Sequence, residues 1–254
     1  MLKTINNLVV KNRIFSVTLV ALLLSLVIYS CKKDEPNDAT NGKATAVFNP
    51  SLKYGSMTDQ DGNVYKTIVI GTQTWMAENL RTTKYRDGSA IPNVTGNSDW
   101  VALTTGAYCT NYYIPEADPS VTYGRLYNWY TVNDSRNIAP AGWHVPADAE
   151  WTTLITYLGG ENAAGGKMKE TGTIHWATQD TYTTNESGFT ALPAGGRFRS
   201  SGEFIGTGYN GFFWGSTAND FTYSFKFYLD CSNNRCVRNY SLKTDGLSLR
   251  LIKD

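Results

Sequence analysis

Cys31, Cys109, Cys231, Cys236, His144 and His175 are the side chains of this 254-residue chain with the most reactive chemistry to offer. Cys231 and Cys236 flank Ser232-Asn233-Asn234-Arg235, a spacing that could close a short disulfide across a turn in an oxidising compartment. Cys109 is then free and buried, or paired with one of those two. His144 lies next to Pro146 at the start of a helical pattern and reads as a packed, hydrogen-bonded residue rather than a catalyst. Neither histidine has a Ser/Asp pair at a spacing that supports a catalytic trio, so no catalytic residue is assigned. Gly206-Thr207-Gly208-Tyr209-Asn210-Gly211 fits G-x-G-x-x-G, but Phe212-Phe213-Trp214 follows it without helical period, which points to an aromatic-flanked loop. Asp59-Gln60-Asp61-Gly62-Asn63 opens like a calcium loop, yet Ile70 stands where the twelfth-position glutamate belongs, so a simple turn is expected. Glu35-Pro36-Asn37 spells a sugar-selecting tripeptide of calcium-dependent lectins but stands outside the folded region, and Asn133-Asp134 and Asn219-Asp220 are only fragments of its companion. No metal site and no cofactor follow from these residues, and the ligand-binding residues stay unassigned.

The first thirty residues set the compartment. Lys3, Lys11 and Arg13 precede a charge-free apolar run, Ile14 to Ser30, whose 17 residues reach only the lower limit for a membrane-spanning helix. Cys31 and Lys32-Lys33-Asp34-Glu35 follow at once, the layout of a signal peptide over 1–30. Ile28-Tyr29-Ser30-Cys31 resembles a lipobox, which makes Cys31 the expected lipidation site, with outer-membrane lipid as the partner of its acyl chains. An outer-membrane lipoprotein exposed at the cell surface is the expected product. Removing residues 1–30 takes three positive charges from a net +1, leaving about −2, a balance that argues against nucleic acid as a partner. Residues 31–52 are polar and small and read as a flexible tether, and 53–254 as one domain.

The domain must position whatever site it carries with short elements. The chain holds 7 Trp, 16 Tyr, 10 Phe and 23 Gly, a composition suited to strands and ordered turns. Val64–Ile70 and Gln73–Met76 pair around Gly71-Thr72. Trp151, Leu154, Ile155 and Leu158 make one helical stripe, with Asp148 and Glu150 in its first turn and Gly159-Gly160 as its stop. A second, shorter helix is expected across Gly124–Tyr130, and Tyr223–Asp230 and Leu247–Ile252 are expected as terminal strands. The resulting fold class is α+β, with short antiparallel strands, long ordered loops and two short helices.

Five blocks now in hand are similar to the Fibrobacter succinogenes major paralogous domain of bacterial lipoproteins. They are Asp61–Tyr65, Gly71–Leu80, Tyr123–Tyr130, Pro140–Pro146 and Leu192–Arg197, in order along the chain from about Thr58 to the C-terminus. That family's usual C-terminal Ser-Val-Arg-Cys is Ser248-Leu249-Arg250-Leu251 here, which implies that a partner for Cys109 is missing. A more distant likeness links Trp143–Trp151 to the formylglycine-generating enzymes and implies a C-type-lectin-like fold. Ala147 stands where that block usually has Thr, so the helix loses a hydroxyl cap. The same likeness implies a second use for Cys231 and Cys236, as thiolates binding Cu(I).

The function expected is therefore a surface binding or interaction module without catalysis, taking an extracellular glycan or protein. Its contact residues should lie in the Tyr-, Trp-, Asn- and Arg-rich loops Trp100–Tyr113 and Arg197–Asn219. A copper-dependent thiol oxidase and a structural envelope protein are the competing readings.

Overall fold

Alternation and turn chemistry build the first sheet. The computed structural model describes residues 44–178 and 182–254; the signal segment and Cys31 lie outside them. Strands β1 (Gly55–Thr58), β2 (Val64–Ile70) and β3 (Gln73–Met76) run antiparallel, with β2 and β3 in the expected hairpin. The turn between β1 and β2 is a hydrogen-bonded knot rather than an ion site. Asp59 Oδ1 accepts from the Asp61 and Asn63 amides at 2.9 Å, and Asp59 Oδ2 accepts from Asn63 Nδ2 and the Tyr65 hydroxyl. Asp61 accepts from Thr82 and Thr83 and pairs with Lys84 at 3.0 Å. These bonds use both carboxylates within the chain.

Two further strands complete this sheet: β6 (Trp143–His144) and β12 (Ile252–Lys253), in the order β1-β2-β3-β12-β6. Residues 252–253 thus pair between β3 and β6. A three-stranded sheet carries β9 (Asn210–Ala218), β10 (Tyr223–Asp230) and β11 (Cys236–Leu242), and two-stranded ladders join β4 (Tyr108–Cys109) to β5 (Leu126–Tyr127) and β7 (Gly196–Arg197) to β8 (Phe204–Ile205). The described helices are α1 (Asn97–Val101), α2 (Pro119–Tyr123), α3 (Trp129–Val132), α4 (Asp148–Tyr157) and α5 (Glu161–Met168). The protein is α+β, with more short helices than the two expected.

The apolar stripe of α4 lies between the two larger sheets. Trp151 stacks on Phe227 of β10 at 4.6 Å and meets Trp75 of β3 at 4.9 Å, in one cluster with Ile68, Ile70, Leu154 and Phe213. Ala147 supplies no cap, and two other residues make up for it. The Thr217 hydroxyl of β9 accepts from the Asp148 amide at 3.0 Å, and Glu150 reaches back to the Ala147 amide at 2.8 Å. Gly159 and Gly160, at φ +99° and +89°, end α4 and launch α5 directly.

Three expectations shift. Gly124–Tyr130 is not one helix: Leu126–Tyr127 pairs with β4, and α3 begins only at Trp129, where the Asn128 side chain accepts from the Thr131 amide. Leu247–Leu251 is extended but meets a different neighbour at each step, so β12 covers only Ile252–Lys253. Met76 donates to Leu251, Leu80 to Leu249 and Tyr127 to Leu247. The flexible tether expected through residue 52 is instead docked from Thr45 onward: Val47 donates to Glu170, Asn49 Nδ2 donates to Asn185, and Phe48 and Leu52 pack on the Trp151 cluster.

Buried cations hold the loops between these elements. Arg250, wholly buried, donates to Asn79 Oδ1 and to the carbonyls of Met76, Phe189 and Thr190 at 2.7–3.0 Å. Burial pushes its guanidinium down to about 9, against the opposing pull of the Glu78 carboxylate. Arg250→Met would strand those four acceptors, each worth about 1–3 kcal/mol when left unsatisfied. A loss of at least about 3 kcal/mol, read as a Tm lowered by about 6–12 °C, is expected for a domain of this size.

His144 latches the C-terminus to α4. Its Nδ1 lies 2.6 Å from Asp254 and its Nε2 2.8 Å from Glu150. Partial burial disfavours its charge, but the bonds to the two carboxylates prevail and raise its pKa above the usual range. A raised histidine contributes stability that is fully present below the unfolded value of about 6.5 and is lost as pH rises through the folded value. The Tm should therefore fall from pH 6 to pH 8.5 by more in the native chain than in His144→Gln; parallel profiles would contradict the latch.

Candidate functional site

The loops singled out by composition meet on one surface and present a cluster of rings. Tyr112 and Tyr113 stand 54% and 56% exposed, with ring centroids 4.5 Å apart. Phe204 of β8 lies beneath them, edge-on to Tyr112 at 4.9 Å and to Tyr113 at 5.8 Å. The Tyr113 hydroxyl donates to Glu203 Oε2 at 3.0 Å, and Asn97 Nδ2 donates to Glu203 Oε1. Hydrogen bonds with Tyr112 first, and with Glu203 second, push the Tyr113 phenol up to about 12, so it remains a donor across the physiological range.

Two buried polar side chains position these rings. Arg197 of β7, fully buried, donates to the carbonyls of Gly202, Val94 and Thr95 at 2.7 Å and to Asn97 Oδ1 at 2.9 Å. Its guanidinium also lies over Trp100 at 4.8 Å and Phe204 at 5.1 Å. One side chain thus ties the loop before α1 to the β7–β8 turn. Gly202, at φ +73°, lets the turn approach: a Cβ there would fall 2.6 Å from the Asn97 carbonyl oxygen. Asn111, also buried, accepts from the Tyr113 amide at 3.1 Å and donates to Ala194 O and Thr207 Oγ1. The rings therefore stand on a hydrogen-bonded base that exists before any ligand arrives.

Sequence reasoning named the two loops but not these residues. Trp100 and Tyr113 lie in the same stretch, and only the fold decides that the first is buried and the second exposed. Trp129, Trp143 and Trp214 likewise belong to the core.

Cys109, Cys231 and Cys236 are all free and buried. The β10–β11 register sets Cys236 opposite Leu229, which leaves Cys231 a diagonal neighbour beyond the paired position. Burial pushes the Cys236 thiol up to about 12, away from the thiolate that binds metals. No group of three or more His, Cys, Asp or Glu among the described residues could hold a metal ion.

A relay that the sequence did not reveal surrounds His175. Its Nδ1 lies 2.7 Å from Glu170 and its Nε2 3.0 Å from the Thr45 hydroxyl, the bonding order of a nucleophile, base and carboxylate. The other Glu170 oxygen accepts from Val47, and the Thr45 hydroxyl also bonds Thr122. Each group is engaged in holding the N-terminal arm to the domain, so the relay acts as a clasp. Residues 45, 170 and 175 share no sequence spacing that signals it. At Gly206–Gly211, turns lead into β9 rather than a helix, as expected of a loop.

No helix among the described residues is long and apolar enough to cross a membrane. Neither the curated proteins nor the solved structures contain a match to this chain. The family model described as the Fibrobacter succinogenes major domain matches residues 68–253, a span that runs from β2 to β12 and includes the whole ring cluster. The chain belongs to the Fibrobacter succinogenes major domain family.

Proposed function

We propose that this chain is a lipid-anchored binding module at the outer face of the outer membrane, with a C-type-lectin-like fold, and that its Tyr112–Tyr113 surface binds a saccharide. The observation that carries this reading is the pair of exposed rings on a base fixed by Arg197 and Asn111, beside the Glu203 carboxylate. A ring face takes the apolar C–H face of a sugar, while phenol and carboxylate exchange hydrogen bonds with its hydroxyls. Pre-ordering both keeps the entropic cost of binding low. The antiparallel strands and the pairing of the chain's end with β3 support the fold assignment. Acylation of Cys31 supplies the anchor in this reading, and the catalytic inventory stays empty.

The thiol–copper oxidase reading gains from Cys231 and Cys236 being free and loses from their burial. One Cu(I) taken up per chain, abolished in Cys236→Ser, would reopen it.

A glycan array probed with the full chain tests the saccharide reading. Tyr113→Ala should weaken the strongest array ligand at least about tenfold, equivalent to about 1.4 kcal/mol, with little change in Tm. Tyr113→Phe, which keeps the ring face, should lose less. Binding to no glycan, or binding unaffected by Tyr113→Ala, would refute the proposal.

A further inference from the structure

The carboxylate beside the exposed rings is held by neutral donors. Glu203 Oε2 accepts from the Tyr113 hydroxyl at 3.0 Å, and Oε1 accepts from Asn97 Nδ2. No lysine, arginine or histidine among the described residues forms an ion pair with it. Other surface carboxylates do have such partners: Glu161 pairs with Arg235, Glu186 with Lys167 and Asp148 with Arg238. Arg197 is linked to Glu203 only through Asn97, because its own bonds go to three carbonyls and to Asn97 Oδ1. Glu203 is also half-buried, so solvent screens its charge less than that of a fully exposed acid.

Two ring faces stand next to this unpaired charge. Tyr112 and Tyr113 are each about half exposed, and the negative face of an aromatic ring attracts a cation. The Tyr113 phenol donates to a carboxylate, a bond that polarises it and leaves the ring richer in electrons. Oε2 is one hydrogen bond away from that phenol, so a single ammonium can reach both the carboxylate and the ring, cation–π contacts extending to about 6 Å from a ring centroid. We infer that the Tyr112–Tyr113 surface takes a saccharide bearing a protonated amino group, and that Glu203 is the residue selecting its charge. The inference rests on the saccharide reading above and narrows it to one class of sugar.

The alternatives fit this chemistry less well. A hydroxyl or acetamido group in the same place gives Glu203 a hydrogen bond but no opposite charge. An acidic sugar meets repulsion from the carboxylate. A lysine side chain brings the ammonium but no sugar face to cover the second ring.

The probes are three tetrasaccharides on one cellulose-type backbone, made of glucosamine, N-acetylglucosamine or glucose, which differ only in the group next to the anomeric carbon. Each is titrated against the full chain at about pH 6, where the amine is charged. An exposed ion pair and a cation–π contact are each worth a few-fold, so the glucosamine tetramer should bind at least about tenfold more tightly than the other two. Glu203→Gln keeps the size and removes the charge; it should bring the three affinities within about twofold while glucose-tetramer binding stays near the native value. Glu203→Asp, which keeps the charge, should retain a preference. The amide of N-acetyl-lysine should bind at least about tenfold more weakly than the glucosamine tetramer. Equal binding of the three tetramers, or a preference undiminished in Glu203→Gln, would overturn this inference and leave the saccharide reading standing. Lysine-derivative binding as tight as that of the glucosamine tetramer would overturn it by assigning the site to protein amines. No binding of the glucosamine tetramer at millimolar concentration would also overturn it, and an array without any glycan ligand would remove the saccharide reading as well.

Discussion

Buried cations bound to loop carbonyls are the interaction on which this structure depends. Arg197, Arg250 and Lys169 are each buried, and each donates to main-chain oxygens of loops and strand ends. Loops that run through an interior leave carbonyls needing donors, and a guanidinium can satisfy several at once. Charge-assisted bonds of this kind are worth about 1.5–3 kcal/mol each, more than neutral ones. The cost is desolvation, visible in the lowered pKa of Arg250. Aromatic faces surround the same cations, Phe189 and Phe213 at Arg250, Trp100 and Phe204 at Arg197, Trp176 at Lys169. Cation and ring together stand in for long helices and wide sheets among the described residues.

What could be read from the sequence follows from how local each feature is. The α4 stripe, the β2–β3 hairpin and strand β10 were legible because periodicity and turn residues act within a few positions. Helix α5 was not, because Gly165 and Gly166 weaken helix propensity. Their absent side chains serve a distant contact: a Cβ on Gly165 would lie 2.3 Å from the Arg235 carbonyl oxygen. Leu126–Tyr127 carries a helical aromatic pattern, yet its pairing with Tyr108–Cys109 prevails. The cationic ties were invisible, since an arginine in a list of residues gives no sign of meeting carbonyls a hundred positions away. The cysteine spacing suggested a bond, and Cys231 and Cys236 stand free and buried at the β10–β11 turn.

The same physics links stability to the proposed binding surface. Arg197 is at once a core residue and the floor of the ring cluster, since it fixes Asn97, Gly202 and Phe204 beneath Tyr112 and Tyr113. Variation in the exposed rings leaves that floor intact, so a single scaffold can carry different contact residues.

The central claim, that Arg197 pre-orders the ring-bearing loops, is tested most directly by amide hydrogen exchange across residues 94–113 and 197–207 in the unliganded chain. The account predicts exchange nearly as slow as in the β9–β10 ladder, and fast exchange confined to these segments in Arg197→Met. Fast exchange there in the native chain, or no local change in Arg197→Met, would contradict it.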